Sequence, residues 1–286
     1  MESNVTFIGF GEAAMAFAGA GARGYDIKLD ATATRTAKLA DFRATSVTAH
    51  ESPAAALDGA TIVLSLVTAD QALAAARSSA PLLRPDALYL DLNSVAPDTK
   101  RTASAALGDG ARYVDVAVMA PVDPARRGVP LLVSGPHAAA GAAALDRLGF
   151  SNVTIVGTAI GDASAIKMIR SVMVKGLEAL TAECVLAADA AGVREAVIAS
   201  LDASWPGADW ARRFDYNLDR MMVHGLRRSE EMHEVAQTLT GLGIAPLMTD
   251  AAMQWQYGVG ERRIPAPPGL DAKLTALRPL NKSEAA

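Results

Sequence analysis

Aromatic side chains are scarce in this sequence: Phe, Trp and Tyr make up 5% of 286 residues. Few surfaces remain on which nucleic-acid bases could stack, and the core must be built from Ala, Val, Leu, Ile and Met. There is no excess of basic charge either, with 27 Lys+Arg against 31 Asp+Glu and a formal net charge of −4. That balance argues against non-specific binding to DNA, RNA or anionic lipid. Cysteine is all but missing. Cys184 alone excludes an internal disulfide framework and a cysteine-based zinc cluster, and in its apolar helical stretch it reads as a small buried hydrophobe. No run of 18 apolar residues occurs, so no membrane span is expected. Met1-Glu2-Ser3-Asn4 is not basic and leads straight into a strand, unlike a secretory signal. A soluble protein of a reducing compartment, the cytoplasm, is expected. The serine-hydrolase elbow G-x-S-x-G and the Walker lysine loop are also absent, and His224 and His233 lack the spacing of H-E-x-x-H, so no metal site is expected.

What is present is alternation. Val5–Gly9, Tyr25–Asp30, Thr61–Val67 and Ala87–Asp91 read as buried strands separated by Ala-rich, helix-length segments. Tyr113–Val118, Leu131–Ser134 and Val153–Val156 continue the pattern. Ser52-Pro53 and Ala96-Pro97 mark helix starts. Such alternation predicts a mostly parallel sheet covered on both faces. Beyond about residue 160 the strand signal stops, and helices are predicted over Asp162–Ala191, Val193–Ser204, Ala208–Met222, Arg227–Gly241 and Pro246–Tyr257. Ile264–Ala286, with four prolines, reads as a strap or a frayed tail. The expected fold is an α/β Rossmann-like domain over residues 1–160 followed by an all-α domain over 161–286.

The first strand runs into Gly9-Phe10-Gly11-Glu12-Ala13-Ala14, a G-x-G-x-x-A turn opening a helix. Gly9 permits the tight turn, Gly11 lets backbone approach a pyrophosphate, and Ala14 allows close helix–strand packing. The predicted second strand ends in Asp30, 30 − 9 = 21 residues after Gly9, where an acid accepts hydrogen bonds from an adenosine ribose. The cofactor is therefore read as NAD or NADP. A carboxylate repels the 2′-phosphate of NADP and favours NAD, while Arg35, Thr32 and Thr34 stand close enough to leave NADP open. Leu66, Val67, Thr68 and Asn93, at the ends of later strands, complete the cofactor-binding set.

In the long helix, Ser164, Lys167, Ser171 and Lys175 share one face at spacings of three and four. That stripe faces either water or a ligand cleft between the two halves.

The ordered motifs resemble the β-hydroxyacid dehydrogenase superfamily, which includes 3-hydroxyisobutyrate and 6-phosphogluconate dehydrogenases. Gly9-x-Gly11 is one mark. Asp91-Leu92-Asn93-Ser94-Val95-Ala96-Pro97 is similar to the family's D-x-S-T-x-x-P strand end, and Asp115-Val116-Ala117-Val118-Met119-Ala120 to its substrate-binding D-A-P-V-S-G. Gly161 to Ser171 resembles the helix G-x-G-x-x-x-K-x-x-x-N. The C-terminal half looks like the branch whose phosphogluconate-dehydrogenase-like domain has no settled function. The resemblance implies that Lys167 is the catalytic lysine, a general acid–base for hydride transfer between nicotinamide and a hydroxy acid or related alcohol or carbonyl. It also implies a homodimer formed through the helical domains. Two departures stand out: the family's serine and glycine are Met119 and Ala120, and the asparagine partner of the lysine is Ser171. Met119 suggests a larger or more apolar substrate, lying between Met119, Ala120 and the Lys167–Ser171–Lys175 face. Arg170, Arg227 and Arg228 are weaker candidates for an acidic substrate group. Two alternatives remain, an imine reductase-like enzyme, a class that usually lacks the lysine, and a non-catalytic dinucleotide-binding redox sensor.

Overall fold

The computed structural model describes residues 4–278, and the chain divides into two compact units, residues 1–168 and 169–286. The first unit runs β1 (Val5–Ile8), α1 (Glu12–Phe17), β2 (Arg23–Tyr25), α2 (Thr32–Arg43), β3 (Thr48–Ala49), α3 (Pro53–Leu57), β4 (Ile62–Ser65), α4 (Ala72–Ser79), β5 (Ala87–Asp91), α5 (Pro97–Leu107), β6 (Ala111–Val118), β7 (Leu131–Ser134), α6 (Ala138–Arg147) and β8 (Val153–Gly157). These strands form one eight-stranded sheet in the order β3-β2-β1-β4-β5-β6-β7-β8, parallel throughout except between β6 and β7. β1, β4 and β5 are buried at every residue, as strands covered by helices on both faces must be. Ser52 Oγ accepts from Ala55 N at 3.2 Å ahead of Pro53, and Pro97 opens α5, so both helix starts lie where the sequence places them. The strand order turns back between β1 and β4, the switch point at which open α/β sheets bind ligands.

α7 (Asp162–Ala190) begins in the first unit and is followed by α8 (Arg194–Ser204), α9 (Trp210–Gly241), α10 (Leu247–Gly260) and α11 (Leu270–Leu277). The core of the second unit gathers Ala182, Val185, Phe214, Leu218, Met221, Val259 and Leu274. No helix of the described residues is long and apolar enough to cross a membrane.

The structure differs from the sequence reading in the following respects. The second strand stops at Tyr25 rather than Asp30, because its neighbour β3 pairs only with Arg23 and Gly24 and a 3-10 turn at Ile27–Leu29 follows. The two helices expected over 208–222 and 227–241 are a single helix, α9. Gly225 lies in the gap between the two expected helices; a Cβ there would lie 2.4 Å from Gln256 O and 2.9 Å from Gly260, so the glycine lets α9 and α10 cross closely. Within the expected C-terminal strap, Leu270–Leu277 is helical and buries Leu274 and Leu277; residues 279–286 of that strap lie outside the described residues. The boundary between the two compact units falls inside α7, whose first turn is hydrogen-bonded to β6 and β7.

Candidate active site

Between β1 and α1 the glycine-rich turn is held by its neighbours in the fold. Gly9 has φ +84°, its N–H donates to Tyr25 O at 2.9 Å, and a Cβ on it would sit 2.4 Å from Leu66 O. Both the left-handed backbone and the close approach of the β4 exit require glycine here. Phe10 is fully buried. Its N–H donates to Asp26 Oδ2 at 2.7 Å, its carbonyl accepts from Lys38 Nζ at 2.7 Å, and its ring stacks on Phe42 with centroids 3.9 Å apart. Gly11 faces open space, with nothing within 4 Å of where its Cβ would lie. Glu12 and Ala13 follow in the first turn of α1, and Ala14 is buried against the core. If this turn holds a dinucleotide, Gly9→Ala is expected to weaken its binding at least about tenfold, since a strained φ and a backbone clash must both be relieved; a fluorescence titration with NADH and NADPH against the unaltered chain reads it.

Asp30, the sequence candidate for the ribose, is not at the end of β2. It is exposed and accepts from Tyr25 Oη at 2.5 Å. Burial first, and then Asp30 itself, push the Tyr25 phenol well above its usual range. The acid that ends β2 is Asp26, 26 − 9 = 17 residues after Gly9, with Oδ2 on Phe10 N and Oδ1 accepting from Lys28 N at 2.9 Å. Sequence reasoning missed it because Ile27 and Leu29 prolong the apolar alternation past the true strand end. Arg35 is engaged with Leu29 O at 2.7 Å and with Glu51, while Thr34 Oγ1 donates to Lys28 O at 2.7 Å.

At the exits of β4 and β5, Asn93 Oδ1 accepts from Val67 N at 2.7 Å and Asn93 Nδ2 donates to Ser65 Oγ at 3.0 Å. Asn93 is almost completely buried, so it ties these two loops together and sets the course of Leu66, Val67 and Thr68. Ser94, the next residue, accepts a hydrogen bond from Lys167 Nζ. The first unit thus brings Lys167 of α7 to the β5 exit. Its helix is positioned by Asp115 on β6, which is wholly buried and whose Oδ2 accepts from Gly161 N, Ser164 N and Ser164 Oγ at 3.2, 3.0 and 3.0 Å. Met119, at the end of β6, is half-buried with its N–H on Pro130 O at 2.9 Å, and Ala120 is exposed.

In the second unit, Ser171 and Lys175 are both buried. Lys175 Nζ donates to Ser171 Oγ at 3.2 Å and pairs with Glu231 at 2.9 Å, so its charge is already matched within that unit. Arg227 pairs with the same Glu231 at 2.9 Å. Arg228 reaches both oxygens of Glu178, at 2.7 and 2.5 Å. Among the described residues, no group of three or more His, Cys, Asp or Glu is placed to hold a metal ion.

Residues 4–157 match the model of the NAD-binding domain of 6-phosphogluconate dehydrogenase. The chain belongs to that family. Residues 188–259 match a domain of unknown function, DUF1932. A conserved hypothetical protein from Sinorhizobium meliloti 1021 is 37% identical, with 97% of this chain and 96% of that one covered and a TM-score of 0.74. The conserved protein MTH1747, of unknown function and described as similar in structure to 3-hydroxyacid dehydrogenases, is 31% identical over 91% of this chain and 98% of that one, with a TM-score of 0.68. A Mycobacterium tuberculosis 3-hydroxyisobutyrate dehydrogenase solved with L-serine shares the fold at 15% identity, with a TM-score of 0.73 over 98% of this chain and 100% of that one. The family's NAD(P)-binding domain and its hydroxyacid-dehydrogenase-like fold are therefore those of this chain.

Proposed function

We propose that the protein is an NAD(P)-dependent oxidoreductase acting on a hydroxy acid or a related alcohol or carbonyl compound. The observation that carries the reading is the hydrogen bond from Lys167 Nζ to Ser94 Oγ at the β5 exit of a dinucleotide-binding sheet. Gly9, Gly11, the first turn of α1, Asp26 and the Leu66–Thr68 loop would hold the dinucleotide, and Gly11 opens onto free space as a pyrophosphate approach needs. Bound nicotinamide supplies or takes the hydride. The chain's own part is proton transfer and orientation. As an ammonium, Lys167 donates a hydrogen bond to the substrate carbonyl oxygen and passes it a proton as the carbon is reduced; in the other direction the amine accepts the hydroxyl proton. Ser94 fixes the Nζ position, and Met119 offers an apolar contact to the substrate carbon skeleton.

A screen of hydroxy acids, aldehydes, ketones and imines with NADH and NADPH, read by nicotinamide absorbance, tests the reading. Turnover confined to imines would turn it to imine reduction, and absence of turnover with every class would leave the redox-sensor reading. Asp26 carries the preference for NAD: its carboxylate, held by two backbone N–H groups, repels a 2′-phosphate. Asp26→Asn is expected to lower the NADH/NADPH ratio of kcat/KM by about tenfold, because the charge is removed, while the loss of one of its two backbone N–H bonds bears on both cofactors alike.

The homodimer reading rests on α7, where Ile169, Met173 and Leu180 form an exposed apolar stripe at helical spacing. Light scattering on the purified protein should give twice the chain mass, and Met173→Glu with Leu180→Glu should shift it to one chain. The lone Cys184 accords with a reducing compartment, the cytoplasm.

A further inference from the structure

Lys100 on α5 is wholly buried, and proton transfer by Lys167 makes no direct use of it. Burying an ammonium is costly unless it is paired and hydrogen-bonded, and ion pairs in such places add little stability over well-packed apolar side chains. Lys100 has two acidic partners. Its Nζ donates to Asp91 O at 2.6 Å and Asp91 Oδ1 at 3.0 Å, and it lies 3.3 Å from Asp115 Oδ1. Both aspartates are wholly buried too.

The far ends of this cluster lie at the two halves of the candidate site. Asp91 Oδ1 accepts from Asn93 N at 2.9 Å and Oδ2 from Tyr113 Oη at 2.7 Å, so Asp91 shapes the exit of β5 that carries Asn93 and Ser94. Asp115 holds the opening turn of α7 through Gly161 and Ser164, one turn ahead of Lys167. Ser134 closes the same end, its Oγ donating to Asp115 Oδ2 at 3.2 Å and accepting from Ala163 N at 3.0 Å. An apolar residue at position 100 could fill the same space, but it could not join the two carboxylates.

We propose that Lys100 is a positioning residue that ties Asp91 to Asp115 and thereby holds Ser94 and Lys167 in register. The proposal rests on the reading of Lys167 as the proton-transfer group. Its structural part, the tie itself, is testable without a substrate.

The test is the acetylation rate of Lys167 by acetic anhydride in the ligand-free full-length chain, measured by peptide mass spectrometry relative to the exposed Lys28. Lys100→Met is expected to raise the Lys167/Lys28 ratio about tenfold, because a shifted α7 start releases Nζ from Ser94, and to lower kcat about a hundredfold while KM for NADH stays within about twofold. Ser164→Ala removes one hydrogen bond to Asp115 and leaves the backbone in place; it is expected to raise the ratio about threefold and covers the case in which Lys100→Met does not fold. A labelling ratio unchanged in Ser164→Ala, and in Lys100→Met where it folds, would overturn the proposal, however far the melting temperature falls. If the ratio rises but Lys167→Ala keeps the wild-type kcat, the tie stands and the catalytic reading of Lys167 is what fails.

Discussion

Lys167→Ala is expected to lower kcat by about 10²–10⁴-fold while the Kd for NADH changes by less than about threefold. The asymmetry follows from where the side chain acts. Lys167 leaves α7 and meets Ser94 at the β5 exit, while the glycine-rich turn lies between β1 and α1 and is held by Asp26 and by Lys38 of α2. On the proposed function, removing the amine takes away the proton partner and leaves the residues that would hold the dinucleotide in place. The measurement is paired: initial rates on whichever substrate the screen returns, and NADH fluorescence titration on the same preparation. Equal loss of binding and rate would mean that the lysine supports the fold, and an unchanged rate would remove it from the chemistry. Lys167→Arg keeps the charge but not a readily exchanged proton, so it should restore little of the rate.

Arg228→Met is expected to cost about 3–5 kcal/mol of stability, because it strands the carboxylate of Glu178 in the helical unit. The Glu178 and Arg228 side chains are only 4% and 11% exposed. Burial holds the Arg228 guanidinium below its usual range, against the opposing pull of Glu178, yet arginine stays charged at any physiological pH. Gln256 Nε2 donates to the same carboxylate at 2.8 Å. With one partner gone, Gln256 alone cannot replace water. Urea unfolding followed by circular dichroism reads the loss. The double variant Arg228→Met/Glu178→Leu should recover most of it, since neither charge then remains buried. A single variant as stable as the wild type would show that the pair is solvated in solution.

Elements set by strong local signals were legible in the sequence. Ala87–Asp91 and Leu131–Ser134 form strands over the same residues as read, and the long helix was placed to within one residue of its end, Ala190. The glycine turn was equally plain, since apolar strand, paired glycines and helix follow one another at fixed offsets. What stayed hidden depended on partners distant in the chain. Strand β2 ends one residue past its last pairing with the short β3, which no pattern within 25–30 can reveal. Gly225 has the same composition signal whether it breaks a helix or lets another helix approach. Lys175 shares a face with Lys167, but only the arrival of Glu231 from α9 shows that its charge is matched. Lys100 sits in an amphipathic helix where lysine usually meets water, and its buried role follows from Asp91 and Asp115 on two strands.

Phe10 is fastened at its amide, its carbonyl and its ring by contacts within the chain itself. A loop so constrained has almost no conformational entropy left to surrender on association. Dinucleotide binding at this turn should therefore resemble the docking of two rigid bodies: little heat-capacity change beyond that of the area covered, and an association rate insensitive to viscosity-independent loop motions. Loosening any one of the three fastenings, at Asp26, Lys38 or Phe42, would turn that rigid docking into binding coupled to the ordering of the turn.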